Sequence, residues 1–230
     1  MCGRYENMLS KEQFMEYLKA KFAIDAVDFT GGKTVKQKNI CPTDDILIAT
    51  LAEDQFRIEI MRWGFCLKTG PMFNSRIEQI VSGNAAKYWQ LSLSSNPCII
   101  PMTSYFEWQE TDEIIEVISP TTGKKTKKKK KQPYRFKTSE DVFLTAGYWR
   151  NDEYEIKTAS GEKEKIKGKT CTMITTTSND LIRPIHVKDR MPVILPGSAP
   201  LDFLKGDLEK RFSLSRSYPA DQMSAEMGEP

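Results

Sequence analysis

In an otherwise polar stretch near the start of the chain, Phe14, Leu18 and Phe22 recur every fourth position, which lines one face of a helix. Ser10 with Gln13 three residues on forms the reciprocal capping box that would open it. After the Gly31-Gly32 turn the period changes. Residues 46–51 are a short apolar run, and Phe56, Ile58 and Ile60 alternate with Arg57, Glu59 and Met61, as a half-buried strand requires. A second helix is expected over roughly residues 78–91, weakened by Gly83. Further strands are expected at 98–102, 105–109, 114–118, 134–137, 142–149 and 170–176. Ser178 is expected to cap a short helix reaching Ile185, limited by Pro184. Another strand follows at 191–195 and a brief helix opens at 201–204.

No internal repeat is visible. These elements predict one α+β domain over residues 1–212, built on a curved, mainly antiparallel, barrel-like β-sheet with a few flanking helices. Residues 213–230 are polar and read as a flexible C-terminal tail. Without alternating strand–helix units, a doubly wound dinucleotide-binding fold is excluded.

Composition changes this picture little. Of 230 residues, 39% are hydrophobic and 28% charged, an ordinary globular balance. No apolar run approaches the ~18–20 residues of a membrane span. The opening segment also lacks the basic and apolar regions of a secretory signal, so a cytoplasmic location is expected. Charge is more telling. Seven lysines fall between Lys124 and Lys131, interrupted only by Thr126, and removing them from the net +3 leaves the rest at −4. Flanked by Gly123 and Pro133, this tract reads as a solvated hairpin tip, with attraction of polyanions secondary. The five cysteines are odd in number and widely spaced, so a disulfide framework is not expected. With no C-x-x-C and a single histidine, a zinc site is not expected either, and no cofactor is implied. Residues 27–34 imitate the end of a phosphate-binding loop, but Val27 stands where its first glycine belongs.

Cys2 carries the most distinctive chemistry. Trimming of Met1 leaves a terminus with an amine and a thiol on adjacent carbons. An α-amine of pKa about 7.7–8.0 is partly uncharged near neutrality. A neutral amine condenses with an aldehyde to an imine, and the thiol can then close a five-membered thiazolidine. Nearby positive charge would lower the thiol pKa and help it. Taken alone, Cys2 reads better as a small residue at a frayed end.

Other segments shift that balance. Asn74, Arg76 and Glu78 share one side if their segment is extended. Glu107 alternates with Phe106 and Trp108 in an apolar stretch, which would desolvate it, raise its pKa and suit it to proton transfer. An exposed strand-face glutamate is the commoner reading. His186 is the sole imidazole, placed between Arg183 and Arg190; a lone histidine is more often structural, yet a proton shuttle near pH 7 has no other to use.

Together these pieces resemble the SRAP family, the SOS response-associated peptidases or abasic-site processing proteins. The matching segments, in family order, are Met1-Cys2-Gly3-Arg4-Tyr5, Asn39-Ile40-Cys41-Pro42-Thr43, Arg62-Trp63-Gly64-Phe65, Asn74-Ser75-Arg76-Ile77-Glu78, Tyr105-Phe106-Glu107-Trp108, and His186 with Arg190-Met191-Pro192. The resemblance implies that the processed Cys2 forms a covalent thiazolidine with the ring-opened aldehyde of an abasic site in single-stranded DNA. It implies that Asn74 orients the amine, Glu107 shuttles protons, His186 assists ring opening and reversal, and the same residues release Met1. Arg4, Trp63, Arg76 and Arg190 are the expected DNA contacts, with Trp63 equally readable as a core aromatic. No metal or membrane partner is implied, and a monomer is expected. Two alternatives stay open: a cysteine peptidase acting on other proteins through Cys2 and His186, and a noncovalent single-strand binding module.

Overall fold

The computed structural model describes residues 2–119, 123–157, 160–186 and 188–230. Along the chain run β1 (Tyr5–Glu6), α1 (Lys11–Phe22), β2 (Ala26–Asp28), β3 (Asp45–Ala52), β4 (Gln55–Trp63), β5 (Phe65–Leu67), β6 (Gly70–Met72) and β7 (Asn74–Arg76). Next come α2 (Ile77–Ser82), α3 (Ala86–Ser95), β8 (Pro97–Met102), β9 (Ser104–Ile118), β10 (Lys125–Thr138), β11 (Phe143–Lys157) and β12 (Lys163–Thr176). The chain finishes with β13 (Met191–Pro192), β14 (Ile194–Leu195), α4 (Ala199–Lys205), α5 (Leu208–Leu214) and β15 (Met223–Met227).

Strands β12, β11, β8, β3 and β4 pair antiparallel in that order. The parallel pairing of β4 with β12, through Arg62–Thr170 and Trp63–Cys171, closes them into a five-stranded barrel. Closure removes the open edges that a curved sheet would otherwise expose. It also explains why residues 46–49 are apolar without a break. Ile46 and Ile48 face a core inside the barrel, while Leu47 and Ala49 face a second core under the helices. That outer core takes Phe14 and Leu18 from α1, Ile77 and Ile80 from α2, Leu93 from α3, and Phe203 and Leu204 from α4. The capping box of α1 forms as its sequence requires, with Ser10 Oγ accepting from the Gln13 N–H and the Gln13 side chain accepting from the Ser10 N–H.

A second sheet, in the order β1-β9-β10-β15, packs Tyr105 and Phe136 into the inner core. The first residues of the chain are built into it. Tyr5 exchanges backbone hydrogen bonds with Ile40, and Phe106 N–H donates to Arg4 O at 2.9 Å. Tyr5 and Glu6 also pair with Tyr105 and Ser104. A start held on both sides by other strands does not fray, which corrects the expectation for Cys2 read in isolation.

Several local expectations change. The helix expected at 78–91 breaks at Gly83 into α2 and α3. The segment after Ser178 forms turns rather than a helix, organised by Asn179, whose Oδ1 accepts from the Ile182 N–H at 3.1 Å. The two strands expected at 105–109 and 114–118 are one, β9, and the lysine tract is the outer half of β10 rather than a tip alone. Beyond Phe212 the chain is not a loose arm: β15 pairs with β10 from Tyr134 to Thr138. Phe136 and Tyr134, alternating with Arg135 and Lys137, offer it a half-apolar edge, and Met223 and Ala225 cover the inner core from there.

A candidate active site at the chain start

Cys2 is fully buried in the inner core. Its carbonyl oxygen accepts a 2.6 Å hydrogen bond from Asn74 Nδ2. Asn74 is itself buried and begins β7, which runs parallel to β12 with Asn74 opposite Met173. The other amide atom, Asn74 Oδ1, is buried and has no hydrogen-bond partner among the described residues. Burying an unpaired acceptor costs roughly 1–3 kcal/mol. The cost is offset where that atom has a task.

Glu107 lies on the face of β9 that also carries Tyr105, as the alternation predicts, and is 2% exposed. Burial pushes its carboxyl up to about 8, against the opposing charge of Lys188. His186 Nε2 sits 3.4 Å from Glu107 Oε2. Its other ring nitrogen, Nδ1, is 2.9 Å from the Arg190 carbonyl, an acceptor only, so Nδ1 carries the proton and Nε2 offers a lone pair. Burial pulls the imidazole down to about 4, the carbonyl contact opposing the change. At neutral pH the pair is therefore a carboxylic acid facing a neutral imidazole. It holds a transferable proton without holding a charge.

The thiol differs from expectation. Burial, with Glu107 adding to it, holds Cys2 well above the ordinary thiol range rather than below it. Its sulfur is 3.8 Å from the Arg4 carbonyl, an acceptor for S–H. A thiol held protonated in this way differs from the thiolate of a thiolate–imidazolium pair, the device of cysteine peptidases.

Glu107 and His186 open onto a cleft of about 460 Å³ that Phe73, Trp108, Glu110, Lys131 and Lys188 also line. Phe73 and Lys188 were not singled out by the sequence. Trp108 was, as part of a motif, and its position beside Glu107 is the signal that places it here.

The expected DNA contacts divide. Arg76 is exposed at the entry to α2. Arg4 Nη1 donates to Asn39 Oδ1. Arg190 holds both oxygens of Glu78, at 2.9 and 2.7 Å, with its side chain only 13% exposed. Its charge is paired with Glu78, and its own carbonyl faces His186 Nδ1. Glu78 reaches it from the first turn of α2, so Asn74, Arg76 and Glu78 do not share one extended face. Trp63 is fully buried: its indole N–H donates to Phe73 O at 2.8 Å, and Tyr5 and Phe73 meet it edge-on. It presents no face to a base. This corrects the expectation of a stacking shelf at Trp63. After it, Gly64 (φ +126°) turns the chain into β5, where a Cβ would sit 3.2 Å from that of Pro71.

Residues 1–227 match the family model described as SOS response associated peptidase (SRAP). The abasic site processing protein YoqW of Bacillus subtilis is 30% identical over 236 residues, covering 98% of this chain and 91% of its own. The abasic site processing protein YoaM of the same organism is 29% identical over 243 residues, covering 98% and 89%. A solved structure from Bacteroides thetaiotaomicron superposes with a TM-score of 0.68 at 19% identity, over 98% of this chain and 91% of that one. One from Bordetella bronchiseptica does so with a TM-score of 0.67 at 22% identity over the whole of both chains. Those two likenesses concern the fold alone. With a family match over nearly all of its length, this chain belongs to the SOS response associated peptidase (SRAP) family.

Proposed function

We propose that this protein processes abasic sites in single-stranded DNA by capturing the ring-opened sugar aldehyde covalently at Cys2, once Met1 has been removed. The observation that carries the reading is the holding of Cys2: the second residue of the chain is fully buried and fixed through its carbonyl by Asn74. The names of the curated relatives support the same substrate.

The chemistry follows from the protonation states. Hydrolysis of the Met1–Cys2 amide consumes one water and frees an α-amine, and Asn74 Oδ1 accepts from that amine and aims its lone pair. An abasic sugar is mostly a closed hemiacetal. His186 Nε2 takes the hydroxyl proton and the Glu107 acid protonates the ring oxygen, so the aldehyde opens. The amine adds to the carbonyl carbon. His186 Nε2 returns its proton to Glu107, 3.4 Å away. Glu107 then protonates the carbinolamine oxygen, which leaves as water, and the nitrogen gives its proton back to Glu107, leaving a neutral imine. The Cys2 sulfur then adds to the imine carbon while its proton passes to the imine nitrogen, closing the thiazolidine. No oxidant is needed, and one water leaves per adduct. A thiol held protonated until the imine forms does not compete with the amine for the aldehyde, so the high thiol pKa orders the two steps. An abasic nucleotide has no base to unstack, which keeps its entry into the cleft cheap.

The test is the intact mass of the mature protein before and after exposure to a single-stranded oligonucleotide carrying one abasic site. The expected product has the mass of protein plus oligonucleotide less one water and survives denaturation. A mature protein with a free Cys2 amine that yields no such product overturns the proposal.

A further inference from the structure

Strands β9 and β10 continue beyond their sheet. Strand β1 covers β9 only at Ser104 and Tyr105, and β15 covers β10 only at 134–138. From Gln109 and Gln132 outward the two strands pair, among the described residues, with each other alone as far as Ile118 and Lys125. At roughly 3.3 Å per residue, the lysines from 125 to 131 span about 20 Å. This ribbon springs from the candidate site. Glu107 and Trp108 lie at its root, and Glu110 and Lys131 line the cleft with them.

Its charge is unbalanced. Seven lysines on the β10 side face the four acids of β9 beyond Gln109 (Glu110, Asp112, Glu113 and Glu116), a surplus of three on a body that is otherwise acidic. Lys125, Lys129, Lys130 and Lys131 approach Glu116, Asp112, Glu113 and Glu110 at 2.9, 3.5, 2.8 and 3.8 Å. Such exposed pairs are worth about 0–1 kcal/mol and exchange readily for a phosphate. Lys124, Lys127 and Lys128 make no ion pair among the described residues. The register puts Lys125, Lys127 and Lys129 directly across from Ile118, Glu116 and Ile114, hence on one face. On that face Ile114 and Ile118 are 56% and 60% exposed. A two-stranded ribbon gains little by exposing isoleucines among cations unless something with anionic and apolar parts lies against it.

We propose that the β9–β10 ribbon is an arm that grips the nucleic-acid strand where it leaves the cleft, its lysines on successive phosphates and Ile114 and Ile118 against sugars and base edges. The proposal rests on the reading above only in taking DNA as the molecule in the cleft. Continuity favours nucleic acid over an acidic protein, because the ribbon begins at the cleft in which the strand is seated, with Glu110 and Lys131 lining both.

The test replaces the three lysines that share the isoleucine face, K125Q/K127Q/K129Q, in the mature full-length protein. Adduct formation is timed with two single-stranded oligonucleotides, each with one abasic site. The short one ends about two nucleotides from the site, and the long one extends about ten on either side. With the long substrate at about 50 mM salt the variant reacts roughly tenfold more slowly. Its log–log salt slope between about 50 and about 200 mM is shallower by about 2, near 0.7 per lost phosphate contact. With the short substrate, which does not reach the ribbon, the two proteins react alike. Unchanged rates and slopes with the long substrate overturn the proposal. So does a variant that loses binding to polyglutamate while keeping its DNA behaviour, which would give the arm to an acidic protein partner. If the wild type forms no adduct at all, the reading of the cleft has failed, and the arm is judged by the salt slope of noncovalent binding to an undamaged long oligonucleotide.

Discussion

The root and the outer half of one β-hairpin obey opposite physics. At the root, Glu107 and His186 are buried, and each has been pushed by desolvation toward its neutral form. Farther out, every lysine from 124 to 131 is exposed and charged, several facing acids across the ribbon. Each pKa unit at the root corresponds to about 1.36 kcal/mol. Each exposed pair is worth a fraction of that and fades with salt. Proton transfer needs the first environment, because a permanently charged carboxylate neither donates a proton nor tolerates an apolar wall. Gathering a polyanion needs the second, because steering acts through water and asks for no fixed geometry. One hairpin supplies both, β9 bearing Glu107 at the root and β10 the lysines farther out.

The most severe way to break the root is at Cys2. Cys2→Ala leaves an amine but no sulfur, and the heat-stable adduct on a denaturing gel should vanish. Cys2→Ser should lose it equally, yet still yield a product trapped by borohydride, because the imine forms and only the ring closure is missing. A Cys2→Ser protein that gives a heat-stable adduct without reductant would remove the thiazolidine from the mechanism.

Next in size is Glu107→Gln. The substitution keeps shape and, near neutrality, charge, so the fold survives and only proton donation is lost. Adduct formation should slow by roughly 10²–10⁴. A second readout separates this from a structural effect. Glu107 ionises at about 8 in the folded protein, against about 4.5 for an ordinary glutamate. Its contribution to stability is therefore full below about 4.5 and is lost as pH rises toward 8. His186 works in the other direction: lowered to about 4, it contributes fully above its ordinary 6.5 and loses that contribution as pH falls. Thermal melts from pH 5 to 9 should show the wild type weakening between about pH 6.5 and 8, where only Glu107 of this pair titrates differently in the two states, and Glu107→Gln failing to do so. Parallel curves would mean that Glu107 is ionised at neutrality and the acid assignment is wrong.

A smaller effect belongs to Glu78→Gln. Arg190 would lose its two charge-assisted bonds, and the loop that turns His186 Nδ1 toward the Arg190 carbonyl would loosen. A drop of about tenfold in adduct rate is expected with binding of undamaged DNA unchanged, as for a positioning residue. If binding falls instead, Arg190 contacts phosphate after all.

What the sequence made legible were features that depend on near neighbours. The capping box of α1, the alternation in β4 and the desolvation of Glu107 all follow from residues within a few positions of one another. What stayed hidden depends on distant pairing. Trp63 reads equally as a DNA contact or a core aromatic until Phe73 O, Tyr5 and Phe73 are seen to close around it, and nothing in the local pattern announces the parallel contact of β4 with β12. Arg190 reads as a free cation because its partner Glu78 is 112 positions away. The tail reads as loose because Met223 and Ala225 gain a core only when β15 meets β10. Composition likewise marks the lysine tract as a solvated tip, since no local rule says that it pairs along the strand bearing Glu107.

The finest test of the contrast runs the ribbon in the favourable direction. Asp112 and Glu113 are its most exposed acids, with side chains 105% and 58% accessible, and they offset Lys129 and Lys130. The double substitution D112N/E113Q raises the cation surplus from three to five without touching the root. Because both pairs lie in water, the melting temperature should move by no more than about 0.5 kcal/mol in equivalent stability. Adduct formation with a long oligonucleotide should nevertheless quicken by about two- to fivefold at low salt, the gain vanishing at high salt as screening shortens the reach of the added charge. A rate gain that survives high salt would place these acids in the chemistry of the cleft. No gain at any salt would mean that the ribbon's charge does not meet the DNA, and that steering and chemistry are not divided along the β9–β10 hairpin.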